Sequence, residues 1–482
     1  MTSELRDILS GIDFRGNPDS RSIQNITYDS RKVKDGTLFV ALKGQQTDGH
    51  DYIRDAVDKG ASAVISNGRS IFGIDVPVIQ VENPRAIMSK VAANFYEHPS
   101  NSMTVVGVTG TNGKTSITHL LKSILSFDNI PCGSLGTLGF STPSGMMSTG
   151  FTTPESVEVQ QLLRTLKLGG IQHAIMEISS HALSLHRVDD VDVDIAIFTN
   201  LTQDHLDFHQ NIENYFQAKL KLFTQLGNGK TAILNLDNPY TSRIIKNTTA
   251  KILTFGFDKS AMIHPISYKL TMDGIQATLK YKSELIEINS KLIGIHNLSN
   301  IMASVASAIE LDIPTSSIVS GIEDCEIIPG RMENVDINIP GKVFVDYAHT
   351  PDAYEKILTM IKDLSSAETK VLTLFGCGGS RDHSKRPLMA KIAEQFSEHV
   401  FVTSDNPRNE DIATICDEIS KGFENTNHTI IHNRFEAINK AMTQMDNNTI
   451  LLILGKGRED YEQIGDEKVF HSDIQTAENF SQ

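Results

Sequence analysis

The chain has 482 residues, 59 of them acidic and 44 basic, for a net charge of −15. That length exceeds one ordinary hydrophobic core and predicts roughly two to four domains. The acidic balance disfavours nucleic acid and anionic membranes as partners, but leaves anionic small molecules open, because these need only a local basic pocket. The first residues, MTSELRDILSGIDF, have no apolar signal core, and no run approaches the ~18 apolar residues of a membrane span, so a cytoplasmic protein without membrane insertion is expected. Cys132, Cys325, Cys377 and Cys416 form no CxxC pair and read as buried free thiols.

Residues 1–100 read as a small α/β unit, with strand-like runs at 37–42, 61–66 and 76–81 and helical patterns at 52–59 and 85–96. Tyr28-Asp29-Ser30-Arg31 precedes the first strong strand, and the loop KGQQTDGH at 43–50 follows it. Short polar side chains beside glycines suit ligand loops as well as plain turns. Residues 97–100 read as a linker.

The stretch 103–127, MTVVGVTGTNGKTSITHLLKSILSF, organises the middle of the chain. A β-branched run suits a buried strand. It breaks at Gly110-Thr111-Asn112-Gly113, Lys114 and Thr115 follow, and Ile117, Leu120, Leu121, Ile124 and Leu125 then recur at helical spacing. Strand, glycine loop, Lys-Thr and helix is the layout of a phosphate-binding loop, in which Lys114 reaches terminal phosphates and Thr115 can bind Mg²⁺. Val108 stands where the general pattern has glycine, so an ordinary turn is the competing reading. Further strands are expected at 174–178, 195–199, 231–235 and 252–255, giving a mostly parallel sheet. At 264–293 the pattern switches to period two, with Asp273-Gly274 as a hairpin turn, and a helix follows at 296–311. From 334 a third α/β unit carries strands at 342–346, 371–375, 400–403, 429–432 and 449–454. The expected class is α/β with three domains, 1–100, 101–333 and 334–482: a small N-terminal α/β domain, a central phosphate-loop domain with a mostly parallel sheet and a small antiparallel element, and a C-terminal Rossmann-like domain.

Several polar groups sit where strands end. Glu177 closes the apolar run AIMEI and could hold Mg²⁺ or cap a helix. In NLTQDHLDFH at 200–209, a helix would bring His205 and His209 to one face at i and i+4. Beside a nucleotide loop His205 reads as a Mg²⁺ ligand or phosphate contact, with solvated or capping histidines as the plainer reading. Lys219, on the apolar helix YFQAKLKLF, would ordinarily snorkel to solvent. Two loops of the last unit, 376–382 and 404–408, each follow a strand and deliver Arg381 and Arg408, whose planar forks suit bidentate carboxylate recognition; a third loop, 455–460, follows another strand, and three such loops in one unit suggest a substrate pocket.

Together these stretches resemble the Mur ligases, ATP-dependent amide-forming enzymes of peptidoglycan synthesis. The resemblance rests on YDSR (28–31), TGTNGKT (109–115), TTP (152–154), EISSHAL (177–183), NLTQDHLDFH (200–209), YFQAKLKLF (215–223), HNLSN (296–300), PGRME (329–333), DYAHTP (346–351), GCGGSRDHSKRP (376–387), DNPR (405–408) and GKGRE (455–459), in that order along nearly the whole chain. The family loop is itself TGTNGKT, so Val108 ceases to be a departure.

The resemblance implies ligation of meso-2,6-diaminopimelate to UDP-N-acetylmuramoyl-L-alanyl-D-glutamate with ATP and Mg²⁺, through an acyl phosphate, by a protein expected to be a monomer. By similarity the first domain holds the uridine end through Tyr28, Ser30, Gln45, Gln46 and Thr47. Thr152, Thr153, Ser179 and Arg187 contact the sugar-peptide. ATP lies on Gly110, Thr111, Asn112, Gly113, Lys114 and Thr115, with Asn300, Arg331 and Asp346 at its base and ribose. Thr115, Glu177 and His205 contact Mg²⁺, and Lys219 is the lysine that becomes a carbamate and a further metal ligand. Lys114, Glu177, His205 and Lys219 form the catalytic set. Arg381, Asp405, Asn406, Pro407, Arg408, Gly455 and Glu459 hold diaminopimelate, and DNPR marks the diaminopimelate-adding type. Leu185, Ser380 and Arg458 depart from common family residues (Gln, Asp and His), and Arg458 is expected to place a cation beside Glu459. The rivals are the related folylpolyglutamate synthase, a nucleotide-gated binding protein, and a zinc hydrolase using His205 and His209.

Overall fold

The computed structural model describes residues 2–44, 47–69 and 73–480, so Gln45 and Gln46 lie outside the described residues. The chain forms two compact units: residues 1–201, 213–255 and 303–313 make the first, and residues 202–212, 256–302 and 314–482 the second.

The first unit opens with a four-stranded parallel sheet ordered Asn25–Thr27, Thr37–Val40, Ala61–Ser66 and Val78–Gln80. Side chains alternate across a strand. Leu38, Val40, Ala63 and Ile65 therefore enter one core, while Phe39, Ala41 and Val64 enter another. Both faces are covered, as a parallel sheet requires. The stretch expected as a linker passes through left-handed Glu97 and His98 into a short turn, Pro99–Ser102. It is packed rather than loose: Ser100 is buried, and its hydroxyl accepts the Asp192 N–H at 3.0 Å.

Eight further strands of this unit form a sheet in the order Gly145–Met147, Gly139–Thr142, Cys132–Gly136, His173–Glu177, Thr104–Thr109, Ile195–Phe198, Thr231–Asn235 and Lys251–Phe255. The last six are parallel and the first two antiparallel. Sequence reasoning did not find the antiparallel pair, whose glycines and methionines lack strand patterning. Thr104–Thr109 lies between His173–Glu177 and Ile195–Phe198, where successive connections turn to opposite sides of the sheet. Ligands of open α/β sheets bind outside the carboxyl ends of strands at such a point.

The second unit carries an antiparallel meander, Ile263–Thr271, Gly274–Tyr281 and Glu284–Ser290, where period-two patterning predicted it. Its main sheet is ordered Glu333–Val335, Lys342–Asp346, Thr449–Leu454, Lys370–Phe375, His399–Val402 and His428–Ile430, parallel except for the first pair. Phe344, Phe375, Leu452 and Leu454 pack on one face, and Val343, Val345, Leu374 and Ile453 on the other. A hairpin, Tyr461–Ile464 with Glu467–Phe470, comes after the last of these strands. Among the described residues the four cysteines are free and buried, and no helix is long and apolar enough to cross a membrane.

Candidate active site

In the first unit the loop 110–113 leaves the strand Thr104–Thr109 and enters the helix Lys114–Phe127. Gly110 must be glycine: a Cβ there would collide with the Thr199 hydroxyl, and its φ of +151° is costly for any other residue. The next strand's loop braces this one. Thr111 N–H donates to the Asn200 carbonyl at 2.9 Å, Asn112 N–H to Asn200 Oδ1 at 3.0 Å, and the Thr199 hydroxyl to the Asn112 carbonyl at 2.6 Å. Lys114 Nζ lies along the loop, donating to the carbonyls of Gly110 at 3.0 Å and Thr111 at 2.9 Å.

Glu177, 2% exposed at the end of its strand, meets the head of this helix. The Thr115 hydroxyl donates to its Oε2 at 3.1 Å. Thr137, which sequence reasoning missed, donates to Glu177 through its N–H and hydroxyl, both at 3.0 Å. A Cβ on Gly136 would strike the same carboxylate. The result is a buried cluster of hydroxyl and carboxylate oxygens beside a phosphate loop, the donor set a hard cation such as Mg²⁺ takes. Lys219 does not snorkel. It is 1% exposed on the helix Ile212–Thr224 and donates to the Gly110 carbonyl at 2.8 Å, with Nζ 4.6 Å from the Tyr215 ring centroid.

Thr153, Ser179 and Arg187 converge on the same strand end. The Thr153 hydroxyl donates to the Glu177 carbonyl at 2.8 Å and accepts the Ser179 N–H at 3.1 Å. Arg187 donates to the Thr153 carbonyl at 2.9 Å and to Glu155 at 2.8 Å. Thr152 contacts the Thr137 hydroxyl at 3.1 Å. Glu155, another residue sequence reasoning missed, also receives Arg85 at 3.0 Å. Tyr28 donates to Glu158 at 3.1 Å; Ser30 begins a short turn, and Thr47 is exposed.

In the second unit, His205 and His209 do not share a helical face. The helix covers only Leu206–His209, and His205 is its left-handed cap residue, half-exposed with its ring 3.4 Å from Asp204, while His209 is buried. Asp204 Oδ1 accepts the His205 N–H at 2.8 Å. Among the described residues no group of three or more His, Cys, Asp or Glu side chains is arranged to hold a metal ion. Asn300 donates to Asn297 at 3.1 Å. Asp346 accepts the N–H groups of Met332 at 2.6 Å and Ala348 at 2.7 Å; burial raises its pKa against the opposing pull of Arg331. Arg331 lies over the Tyr347 ring.

The loops after the strands Lys342–Asp346, Thr449–Leu454, Lys370–Phe375 and His399–Val402 share the carboxyl edge of the main sheet. Asn406 joins two of them: its Nδ2 donates to Glu459 at 2.8 Å, and its Oδ1 accepts Lys456 Nζ at 3.2 Å. Arg408 holds a left-handed backbone at φ 51°. Such strain persists where surroundings over-determine it, and here the late hairpin does so: Arg408 N–H donates to the Gln463 carbonyl at 2.9 Å, and Gly465 N–H to the Arg408 carbonyl at 2.7 Å. The guanidinium donates to the Gly379 carbonyl at 2.9 Å. Asp405 and Pro407 flank Asn406 in the sequence, and a Cβ on Gly455 would lie 2.5 Å from the Asp405 carboxylate. Arg381 is exposed.

Three family models match the chain: Mur ligase family, catalytic domain at residues 22–96, Mur ligase middle domain at 108–308, and Mur ligase, glutamate ligase domain at 330–457. A UDP-N-acetylmuramoyl-L-alanyl-D-glutamate–2,6-diaminopimelate ligase of Caldanaerobacter subterraneus subsp. tengcongensis is 39% identical over 469 residues, 96% of each chain. The chain belongs to the Mur ligase family. A ligase of the same name from Halalkalibacterium halodurans is 40% identical, covering 97% of this chain and 96% of that protein. A solved structure of a ligase so named superimposes with a TM-score of 0.70 at 29% identity, covering 99% of this chain and 98% of that one. The folylpolyglutamate synthase of Mycobacterium tuberculosis shares the fold, with a TM-score of 0.65 at 16% identity over 77% of this chain and 92% of that one.

In this Mur ligase Arg458 was expected to set a cation beside Glu459, and the structure corrects that expectation. The guanidinium turns away from Glu459 to Glu333, with Nε 2.9 Å from Oε2. Glu333 is 4% exposed and also accepts the Gly330 N–H at 2.7 Å, so Arg458 neutralises a buried acid in PGRME. Arg458→Ala is expected to lower stability by about 1–2 kcal/mol: a buried carboxylate is left unpaired, but Arg458 is half-exposed and water screens part of the loss. A urea titration checks this.

Proposed function

We propose that this Mur ligase joins meso-2,6-diaminopimelate to the D-glutamyl γ-carboxylate of UDP-N-acetylmuramoyl-L-alanyl-D-glutamate, converting ATP to ADP and phosphate. The observation that supports it most is the 3.1 Å contact of Thr115 with buried Glu177 at the head of the phosphate loop, with Lys219 on the same loop. The named relatives, 39% and 40% identical along the full chain, favour these substrates over others of the family. A carboxylate is a poor acyl donor until activated. Its oxygen takes the γ-phosphoryl group, giving an acyl phosphate and ADP. The neutral amine of the amino acid then attacks the acyl carbon, phosphate leaves, and the amine gives up a proton.

The chain's own residues divide this work. Lys114 and the N–H groups of 110–115 hold the phosphates. Thr115 and Glu177 fit Mg²⁺, and the resemblance adds His205. The ion, when bound, offsets the repulsion between carboxylate and phosphate. Asn300, Arg331 and Asp346 serve the base and ribose. Thr152, Thr153, Ser179 and Arg187 orient the sugar-peptide, and Tyr28, Ser30 and Thr47, with Gln45 and Gln46 by resemblance, take the uridine end. The Lys219 ammonium gives up one proton, the neutral amine attacks CO₂ to form an N–C bond, and the nitrogen gives up a second proton, so that the cation becomes an anionic oxygen donor. Domains 1–100, 101–333 and 334–482 bind uridine substrate, ATP and amino acid in turn, and the protein acts as a cytoplasmic monomer.

A phosphate-release assay tests the proposal. Release is expected only when ATP, Mg²⁺, the UDP-dipeptide and diaminopimelate are all present. Release from ATP alone would make the protein a nucleotide switch, and dependence on a folate in place of the UDP-dipeptide would overturn the substrate.

A further inference from the structure

Arg434 opens the helix Arg434–Met442 and is 1% exposed. Its Nε and Nη2 donate to the two oxygens of Asp473, both at 2.7 Å. Nη1 donates to the Ser404 carbonyl at 3.0 Å, and Nη2 also to the Leu454 carbonyl at 3.0 Å. Asp473, fully buried, begins the last helix, and His471 Nε2 lies 2.8 Å from its Oδ1. Burial would raise the Asp473 pKa, but the guanidinium overrides it and holds the carboxyl well below the usual range. Asp473 also lies after residues 330–457, where the family model matches.

Those two carbonyls stand immediately before Asp405 and Gly455. Their strands, His399–Val402 and Thr449–Leu454, are not neighbours, because Lys370–Phe375 runs between them. Ladder bonds tie each to the middle strand, and none joins the two loops that leave them. Arg434 spans that interval directly. Beyond it the loops meet through Asn406, with Glu459 at 2.8 Å and Lys456 at 3.2 Å.

We propose that the buried Arg434–Asp473 pair is a positioning device for the amino-acid pocket, setting the spacing between the 405–408 loop and the 455–459 loop so that Arg408 and Glu459 reach the carboxylate and the amine at the distal end of one amino acid together. The inference rests on the proposed assignment of those loops to diaminopimelate. Lysine cannot take the place of Arg434. One ammonium lacks the planar fork that grips both carboxylate oxygens while reaching two carbonyls.

The test compares KM for diaminopimelate, ATP and the UDP-dipeptide in the wild type, Arg434→Lys and Asp473→Asn, with melting followed by circular dichroism. The KM for diaminopimelate is expected to rise about 10–100-fold, on the scale seen when a group that orients a metal ligand is lost, while the other two stay unchanged. An unchanged KM for diaminopimelate, or three KM values rising together, overturns the proposal. Should these variants not fold, His471→Gln, which loosens Asp473 and keeps both charges of the pair, carries the same expected split and the same overturning results. If the wild type takes another amino acid and not diaminopimelate, the assigned substrate fails, and the split measured for that amino acid still decides the role of the pair. A wild type that takes no amino acid overturns both.

Discussion

Lys219→Ala lowers kcat by about 10²–10³-fold, the size expected when one pre-placed electrostatic group leaves an enclosed site. Lys219 has no solvent to reach: it is 1% exposed, and its amine donates to the carbonyl of Gly110 at 2.8 Å. A simple cation there would attract phosphate, and a carbamate would hold metal. Lys219→Arg separates the two. Arginine keeps the positive charge but cannot form the carbamate, so under the proposed chemistry it loses as much activity as alanine. Added formate or acetate restores part of the activity to Lys219→Ala, where the cavity admits a small carboxylate, and none to Lys219→Arg. Steady-state turnover with saturating substrates checks all three statements. Wild-type activity in Lys219→Arg would leave only the cationic role.

The second large effect is discrimination at the amino acid. The kcat/KM for meso-diaminopimelate is expected to exceed that for L-lysine by at least about 10³. Lysine lacks the distal carboxylate and would leave arginine without its partner. Fully enclosed polar sites discriminate by about 10⁴–10⁵, but here Arg381 is exposed, which lowers the expectation. Arg408 carries the larger share, because the hairpin holds its backbone on both sides, at 2.9 Å from Gln463 and 2.7 Å from Gly465. Arg408→Lys is expected to shrink the ratio by raising KM for diaminopimelate while leaving lysine turnover unchanged. Competition between the two amino acids, with products resolved by mass, measures the ratio; equal values would remove the assigned pocket.

Much of the fold was legible where the physics is local. The valines of 104–109, the glycine turn and the helical spacing after Lys114 specify strand, loop and helix within a short window. Period-two patterning located the meander, and Thr231–Asn235, Lys342–Asp346 and Thr449–Leu454 fell where alternation or apolar runs put them. The missed elements lacked such a signal or carried it faintly. The strands Gly139–Thr142 and Gly145–Met147 are held by pairing with neighbours rather than by their own composition. Tyr461–Phe470 did carry one, alternation around Gly465-Asp466, and it was overlooked. For His205 and His209 the spacing left a shared helical face and a plainer capping role both open, and the short helix Leu206–His209 has His205 at its cap position.

By itself the sequence determined the class, the order of strands and helices along the chain, the phosphate loop, and a motif series that points to one ligase family, because each rests on residues close together or on their order along the chain. Only the tertiary structure decided which side chains spend their charge on one another. Burial makes an unpartnered charge costly, and the partner can lie anywhere along the chain. So Arg458 answers Glu333 rather than its neighbour Glu459, Lys219 turns inward to Gly110, and Arg434 reaches Asp473 in the last helix.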